Sequence, residues 1–167
     1  VQMLWPARLL NAPPTYRVPP GYRLRTYQKG DETGFFKIMG LAGWTGWDDA
    51  RLKPWLYRIL PQGWFMATSE ATGEIVASSM ATHDHTWVKP FCGEVGWTVA
   101  HPAHRGKGLG TAVVAAVTAR FMEAGYRTIH LYTELWRLAA LKVYLKLGYV
   151  PLIDAPSALD RWHKICE

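Results

Sequence analysis

The chain has 167 residues, of which 49% are hydrophobic and 19% are charged, and this composition excludes a disordered chain and predicts one globular domain. Two cysteines exclude a disulfide framework, and no apolar stretch is long enough for a membrane span or a signal peptide, so we expect a soluble, cytoplasmic protein without a membrane partner. The net charge of +6 favours anionic ligands, but the basic residues form no run, so we expect no nucleic-acid partner.

The first segment is rich in proline. Five of the eleven prolines lie within residues 1–21, where no periodic pattern occurs, so we predict an extended arm that lies along the body or frays. Residues 22–27 alternate in polarity and are bounded by glycines, which predicts the first strand. The single folded domain is therefore expected to span residues 22–167.

Two helices are predicted after this strand. Asp31 is placed to cap the first, which carries apolar residues at helical spacing. Asp48 or Asp49 can cap the second, whose apolar positions extend to Ile59 and which ends before a proline. Both helices therefore precede the main series of strands.

Three strands come next. Residues 64–69 and 75–82 are apolar runs joined by four turn-forming residues, which predicts an antiparallel hairpin. Residues 94–100 form the third predicted strand, and a helix then opens near Gly108 and stops at Gly125. This succession indicates that the first part of the sheet is antiparallel.

The last third of the chain alternates between strand and helix. Residues 127–133 are predicted as a strand that is buried on both faces. Residues 139–147 are predicted as a helix with Leu138, Leu141 and Leu145 turned inward. The two elements are expected to add parallel crossover units to the sheet.

This order of elements predicts an α/β fold. It indicates a mixed sheet of about six strands, covered by helices on both faces as a three-layer α/β/α sandwich. Residues 149–153 would be the last strand, because the residues after Ser157 have the capping pattern and apolar spacing of a short helix. That helix leaves a sheet edge that a second copy could cover, so a homodimer is a candidate assembly.

The most specific pattern is a glycine-rich loop at residues 101–111, between a predicted strand and a predicted helix. Gly106, Gly108 and Gly110 leave the backbone amides bare, and the helix N-terminus adds its own N–H groups, so a phosphate or diphosphate is the expected ligand. Lys107 is followed by glycine rather than serine or threonine, which disfavours an ATP or GTP loop. The glycine spacing also fails the dinucleotide fingerprint.

This loop also matches the pattern Q/R-x-x-G-x-G/A, with Arg105, Gly108 and Gly110 at its fixed positions. In this pattern the sequence resembles the GCN5-related N-acetyltransferases, whose fold and activity become expectations for this chain. Residues 140–149 are similar to the second signature of that family, although Arg137 stands where the family usually has asparagine.

The resemblance implies that acetyl-CoA is the acyl donor and lies between two splayed strands, here residues 95–100 and 127–134. The first strand would pair with the pantetheine arm, and the loop amides would hold the diphosphate, with positive charge from Arg105 and Lys107. The cofactor-binding residues expected on this basis are Val99, Ala100, Arg105, Gly106, Lys107, Gly108, Leu109, Gly110 and Thr111.

The resemblance also implies two catalytic residues for direct acetyl transfer to a primary amine of a small molecule or to an exposed amino group. Tyr144 occupies the position from which family members often protonate the departing thiolate. Glu94 is the leading candidate for the base, because it begins the strand that leads into the loop, and Glu134 is the second. A non-catalytic acyl-CoA-binding or regulatory module is the alternative function.

Histidines and tryptophans complete the set of candidate residues. His83 and His85 would project from one face of a strand, and without a third ligand at metal spacing we expect a structural or pocket-lining role and no metal. Core packing is expected to account for most tryptophans. Those near the glycine-rich break are candidates to shape an acceptor pocket or a lid, namely Trp44, Trp47, Trp55 and Trp87.

Overall fold

The computed structural model describes residues 1–84 and 91–166. The strands in these residues are β1 Gln2–Leu4, β2 Tyr22–Thr26, β3 Ile59–Ser69, β4 Ile75–His83, β5 Cys92–Ala100, β6 Thr128–Tyr132 and β7 Val150–Pro151. The helices are α1 Glu32–Leu41, α2 Asp49–Leu56, α3 Leu109–Glu123, α4 Leu138–Leu147 and α5 Pro156–Cys166. Together the seven described strands form one sheet in the order β2-β3-β4-β5-β6-β1-β7.

The sheet is mixed, as predicted. β5 and β6 run parallel, and the other neighbouring strands described here are antiparallel. Successive residues of β3 join different cores, since Ala67 packs in the core that contains α3 and Met66 in the core that contains α1. Helices therefore cover both faces, and the three-layer sandwich is confirmed, with seven described strands rather than about six.

The first residues differ from the predicted arm. β1 lies between β6 and β7 and pairs antiparallel with both, so it belongs to the sheet. Met3 is fully buried, and the Trp5 ring packs edge-on against Tyr149 with 5.1 Å between the ring centroids. A strand of three residues is too short for its period to be recognised in the sequence, which explains the error. Residues 13–19, all of which the structure describes, form no helix or strand.

The placement of β1 predicts that two substitutions in residues 1–21 lower the free energy of unfolding by unequal amounts. We expect Met3→Ala to lower the free energy of unfolding by about 2 to 5 kcal/mol, because it leaves a cavity in the core. Tyr16→Ala is the control, since Tyr16 is 42% exposed, and its cost should stay within about 0.5 kcal/mol. Urea unfolding measures both variants. Equal losses would contradict the insertion of β1 into the sheet.

Two of the predicted helices need correction at particular residues. The helix predicted to reach Ile59 ends earlier, and Ile59 begins β3 instead. In α4, Leu141 and Tyr144 are buried, whereas Leu138 and Leu145 are about half exposed. The buried face of α4 is therefore formed by Leu141 and Tyr144 rather than by the three predicted leucines.

The end of the chain is helical, as predicted, since α5 follows β7. β7 pairs with β1 and forms one edge of the sheet. A homodimer through this edge stays a prediction.

Among the helices that the structure describes, none combines the length and the apolar character that a membrane crossing requires.

Candidate active site

The candidate site lies where β5 and β6 separate. In the described residues, these strands pair from Cys92 to Glu94 on β5 and from Thr128 to His130 on β6. β5 continues to Ala100 and stays paired with β4 on its other side. Its edge toward β6 is therefore open beyond Glu94. The predicted splay is present, and an extended ligand can pair with the open edge.

A bulge in β5 places Trp97 at this opening. The pairing of β4 with β5 shifts register here, and Trp97 has a φ of +49°, which is costly for a bulky side chain. Its ring makes edge contacts with Trp44, Trp47 and Trp55 at centroid distances of 5.8, 4.5 and 5.1 Å. We name these four residues the tryptophan cluster. Trp87, the other tryptophan predicted on the acceptor side, lies outside the described residues.

The opening forms a pocket of about 280 Å³. Its lining comes from β5, from the end of β6 and the residues that follow it, and from α1 and α4, and it includes three members of the tryptophan cluster. The ionisable side chains that line it are Glu94, Tyr132, Glu134, Arg137 and Tyr144. Both predicted catalytic residues, Glu94 and Tyr144, are thus brought into one pocket.

Tyr144 enters the pocket from α4. Its side chain is buried, and burial raises the pKa of its hydroxyl, while a hydrogen bond with Thr98 acts in the opposite direction. Thr98 lies in the bulge of β5, and its Oγ1 is 2.9 Å from Ser79 Oγ. A buried phenol that stays protonated can donate a proton to a base that forms beside it.

Glu94 faces the pocket from β5. The Arg58 guanidinium lies beside it, with Nη2 3.2 Å from Oε2. Burial raises the pKa of the Glu94 carboxyl, and this effect outweighs the attraction of Arg58, which lowers it; the negative charge of Asp84 raises it further. A carboxyl with increased proton affinity is suited to accept a proton as a general base.

The glycine-rich loop leaves β5 through a short 3-10 turn, Pro102–His104, and enters α3 at Leu109. Gly106 and Gly108 have φ values of +77° and +87°, which residues with a side chain rarely adopt. Within the described residues, the amides at positions 106–111 donate no backbone hydrogen bond. They are available to an anion at the positive end of the α3 dipole.

The backbone is also uncrowded at two of these glycines. A Cβ atom built on Gly110 meets Val143 Cγ2 at 4.0 Å as its nearest neighbour, and one built on Gly106 meets no described atom within 4 Å. Gly110 lies in the first turn of α3 with ordinary helical geometry. Donors and open space therefore occur together at this helix N-terminus.

Two positive charges accompany the loop. Lys107 Nζ donates to the Tyr22 hydroxyl at 2.9 Å, and that oxygen lies 2.8 Å from His104 Nδ1. Arg105 is exposed. The start of β2 therefore orients Lys107, a contact across 85 residues of sequence that the local pattern did not predict.

The other predicted cofactor residues offer mainly their backbone. The side chains of Val99 and Leu109 are buried in the two cores. Ala100 is paired with Ala77 at the end of β5, and Thr111 is partly buried in the first turn of α3. The charged side chains at the loop are thus those of its basic residues.

Arg137 stands at the start of α4, where the family signature usually has asparagine. Its Nε lies 2.7 Å from Glu134 Oε2, and its guanidinium lies 4.4 Å from the centre of the Trp44 ring. Glu134, the second candidate for the base, is therefore held in an ion pair and is 47% exposed. The stacked guanidinium fixes this wall of the pocket against the tryptophan cluster.

The predicted histidine pair is described in part. His83 Nδ1 lies 2.9 Å from the Tyr126 hydroxyl, a contact between β4 and the residues that precede β6. His85 lies outside the described residues. The hydrogen bond of His83 is of the kind expected for a structural role.

Sequence reasoning missed three residues next to Glu94, the candidate base. Arg58 contacts Glu94, and behind it Asp84 Oδ2 lies 2.9 Å from His130 Nε2. Arg58 lies between a helix and a strand without a motif, and His130 is a single histidine in a buried strand. The histidines flanking Asp84 drew attention in the sequence, whereas the carboxylate itself carries no local signal.

Comparison with known proteins shows which family this chain resembles. A family model described as "Acetyltransferase (GNAT) family" matches residues 27–149. A mycothiol acetyltransferase of Nocardia farcinica is 33% identical over 162 residues, which cover 89% of this chain and 52% of that protein. A second one, from a Mycobacterium species, is 31% identical over 94% of this chain and 55% of its own length. The chain thus spans about half the length of the curated relatives it matches.

Solved structures share the fold. A GCN5-related N-acetyltransferase from Sphaerobacter thermophilus superimposes with a TM-score of 0.72 at 21% identity, covering 89% of this chain and 47% of that one. The Salmonella typhimurium protein yncA, solved with its cofactor acetyl-CoA, has a TM-score of 0.69 at 19% identity, with 80% and 82% covered. At such identities the likeness concerns the fold alone.

Proposed function

The chain belongs to the acetyltransferase (GNAT) family, and on this premise we propose that it transfers the acetyl group of acetyl-CoA directly to a primary amine of a small molecule. One observation carries the proposal. Glu94 and Tyr144 line the pocket at the opening of β5, and the same strand leads into the loop with free amides. A candidate base, a candidate acid and an anion site therefore adjoin one strand.

The donor would be bound largely by backbone groups. Acetyl-CoA supplies an acetyl group that is activated as a thioester. The amides of residues 106–111 would bind its diphosphate, with Arg105 and Lys107 adding positive charge. The open edge of β5 would pair with its extended arm. Backbone N–H groups near Val99 and Ala100 would stabilise the carbonyl oxygen as it gains negative charge.

Two side chains would move protons in this reaction. Glu94 accepts the proton that the attacking amine loses, directly or through a water molecule. Tyr144 donates its hydroxyl proton to the departing sulfur, and burial keeps that hydroxyl protonated until then. The two groups lie in the same pocket, so both transfers can accompany one acyl transfer.

The acceptor and the setting belong to the proposal as well. The curated relatives are named mycothiol acetyltransferases, so amines related to mycothiol are the first acceptors to test. Cys92 is buried and belongs to no disulfide, as is usual for cysteines in the cytoplasm, the location that we propose. The homodimer and the exclusion of nucleic-acid and membrane partners stay predictions.

A single-turnover assay with acetyl-CoA and a panel of amines tests the proposed function. We expect free CoA thiol to appear only when both an amine and the protein are present, and mass spectrometry to show the N-acetylated amine. Calorimetry measures CoA binding in parallel. Binding without transfer to any amine would favour the non-catalytic module, and loss of both would remove acetyl-CoA from this site.

The proposed base predicts a pH-dependent rate. Glu94 must be ionised to accept a proton, and its pKa is raised, so kcat/KM should climb with pH above the ordinary range of a glutamate. Glu94→Gln should lower kcat/KM by about 100-fold and remove this ascending limb. Glu134→Gln is the matched control, because Glu134 is exposed and paired with Arg137. If it causes the larger loss, the base is Glu134.

A further inference from the structure

Behind the pocket, a buried pair of residues lies next to the group that holds Glu94. His130 Nε2 lies 2.9 Å from Asp84 Oδ2, and the two side chains are 0% and 4% exposed. Glu94 is the ladder partner of both Thr82 and His130, and Asp84 follows Thr82 by two positions. Because paired and alternate residues share a face of a sheet, these side chains face the same side.

One guanidinium serves two carboxylates here. Arg58 Nη2 lies 3.2 Å from Glu94 Oε2 and 3.9 Å from Asp84 Oδ1. Its Nε donates to the His83 carbonyl at 3.0 Å, and its guanidinium lies 4.8 Å from the centre of the Trp55 ring. Arg58 is thus fixed between the two acids. Asp84 and Glu94 thus share the positive charge of Arg58.

The hydrogen bonds of His130 place its ring proton on the side of Asp84. Gln2 Nε2 lies 3.3 Å from His130 Nδ1, and an amide nitrogen only donates, so Nδ1 accepts and the imidazole proton sits on Nε2. That N–H donates to Asp84. Burial lowers the pKa of His130, which keeps the ring neutral. Asp84 therefore contacts both the His130 ring and Arg58, and Arg58 is the group that it shares with Glu94.

We propose that Asp84 is a positioning residue for Glu94: it shares Arg58 and holds a fixed negative charge nearby, and so it maintains the proton affinity that a base requires. The role of Glu94 as base rests on the proposed function, whereas the charge balance does not. The other ionisable groups of the described residues that share the pocket with Glu94 are Tyr132, Tyr144, and Glu134 with its partner Arg137. The buried Cys92 thiol lies beside the Asp84–His130 pair, with its sulfur within 4.8 Å of both.

A direct titration of the Glu94 carboxyl tests this proposal in the full chain. Carbon NMR of labelled glutamate follows the carboxyl signal, which the loss of that signal in Glu94→Gln identifies. We expect Asp84→Asn to move the titration midpoint about one pH unit lower, a tenfold loss of proton affinity, because Arg58 then pairs with Glu94 alone. An unchanged or higher midpoint overturns the proposal.

A second variant leaves every charge in place. Gln2→Leu removes the donor to His130 Nδ1, so the imidazole proton is no longer confined to Nε2, and we expect a smaller shift in the same direction. Asp31→Asn is the control, since Asp31 pairs with Arg25 at 2.6 Å outside the pocket lining, and it should leave the midpoint in place. If Asp84→Asn fails to fold, an unchanged midpoint in Gln2→Leu overturns the proposal.

Activity gives a second readout and separates this inference from the proposed function. In an active enzyme, Asp84→Asn should shift the acidic limb of kcat/KM to lower pH together with the NMR midpoint. A lowered midpoint in a chain that acetylates no amine would refute the proposed function and leave the charge balance standing. An active enzyme with an unchanged midpoint would refute the role of Asp84 alone.

Discussion

Gly110→Asp is expected to weaken CoA binding by about 100-fold, because its carboxylate would repel the diphosphate and compete for the same amides. The same carboxylate lies in the first turn of α3, where it interacts favourably with the helix dipole. Aspartate also has a higher helix propensity than glycine, so stability should be unchanged or rise by up to about 1 kcal/mol. Calorimetry should therefore show weaker CoA binding, while thermal unfolding should show an unchanged or higher melting temperature.

Gly110→Ala separates charge from bulk in this prediction. A Cβ atom at this position has room, with Val143 as its nearest neighbour at 4.0 Å, and we expect affinity to stay within about threefold of the parent. Gly108 is a poorer test site, because its φ of +87° strains the backbone whatever the new side chain carries. Equal CoA affinity in Gly110→Ala and Gly110→Asp would show that the diphosphate binds elsewhere.

The loop could be predicted because its chemistry is local. A strand end, bare amides and a helix start follow one another within residues 101–111, and each has its own signal in the sequence. The hairpin of β3 and β4 and the helix α3 were predictable for the same reason. Their turns and caps lie within a few residues of the elements they bound.

The surroundings of Glu94 could not be predicted, because they assemble across the whole chain. The residues around Glu94 and its partner Arg58 come from separate segments of the chain. They are Gln2, Arg58, Asp84 and His130. None of these residues stands in a motif, and their contact depends on the order of strands in the sheet. The placement of β1 between β6 and β7 supplies Gln2, and a three-residue strand leaves no periodic pattern.

Trp97 shows how a single backbone angle shapes the site. The strand predicted at residues 94–100 includes Trp97 as an ordinary strand residue, but its φ of +49° marks a bulge, and its ring packs in the tryptophan cluster. Strain of this kind persists where the surrounding packing holds it. The contacts with Trp44, Trp47 and Trp55 supply that packing, so the pocket wall and the bulge depend on each other.

Tyr144→Phe should lower kcat by about 100-fold while CoA affinity stays close to that of the parent, because the variant loses only the proton donor. The hydroxyl is buried and hydrogen-bonded to Thr98, so its removal should also cost about 1 kcal/mol of folding stability. Presteady-state measurement of thiol release separates the chemical step from product release. The loss should appear in that step.

Tyr149→Phe is the matched control for this loss. Its hydroxyl is also buried and lies 2.6 Å from Thr118 Oγ1, but it does not line the pocket. A comparable loss of stability with unchanged kcat is the expected result, since both substitutions remove one buried hydrogen bond. If both variants lose activity equally, the effect of Tyr144 comes from weakened packing. If Tyr144→Phe keeps the full rate, water or another group protonates the sulfur.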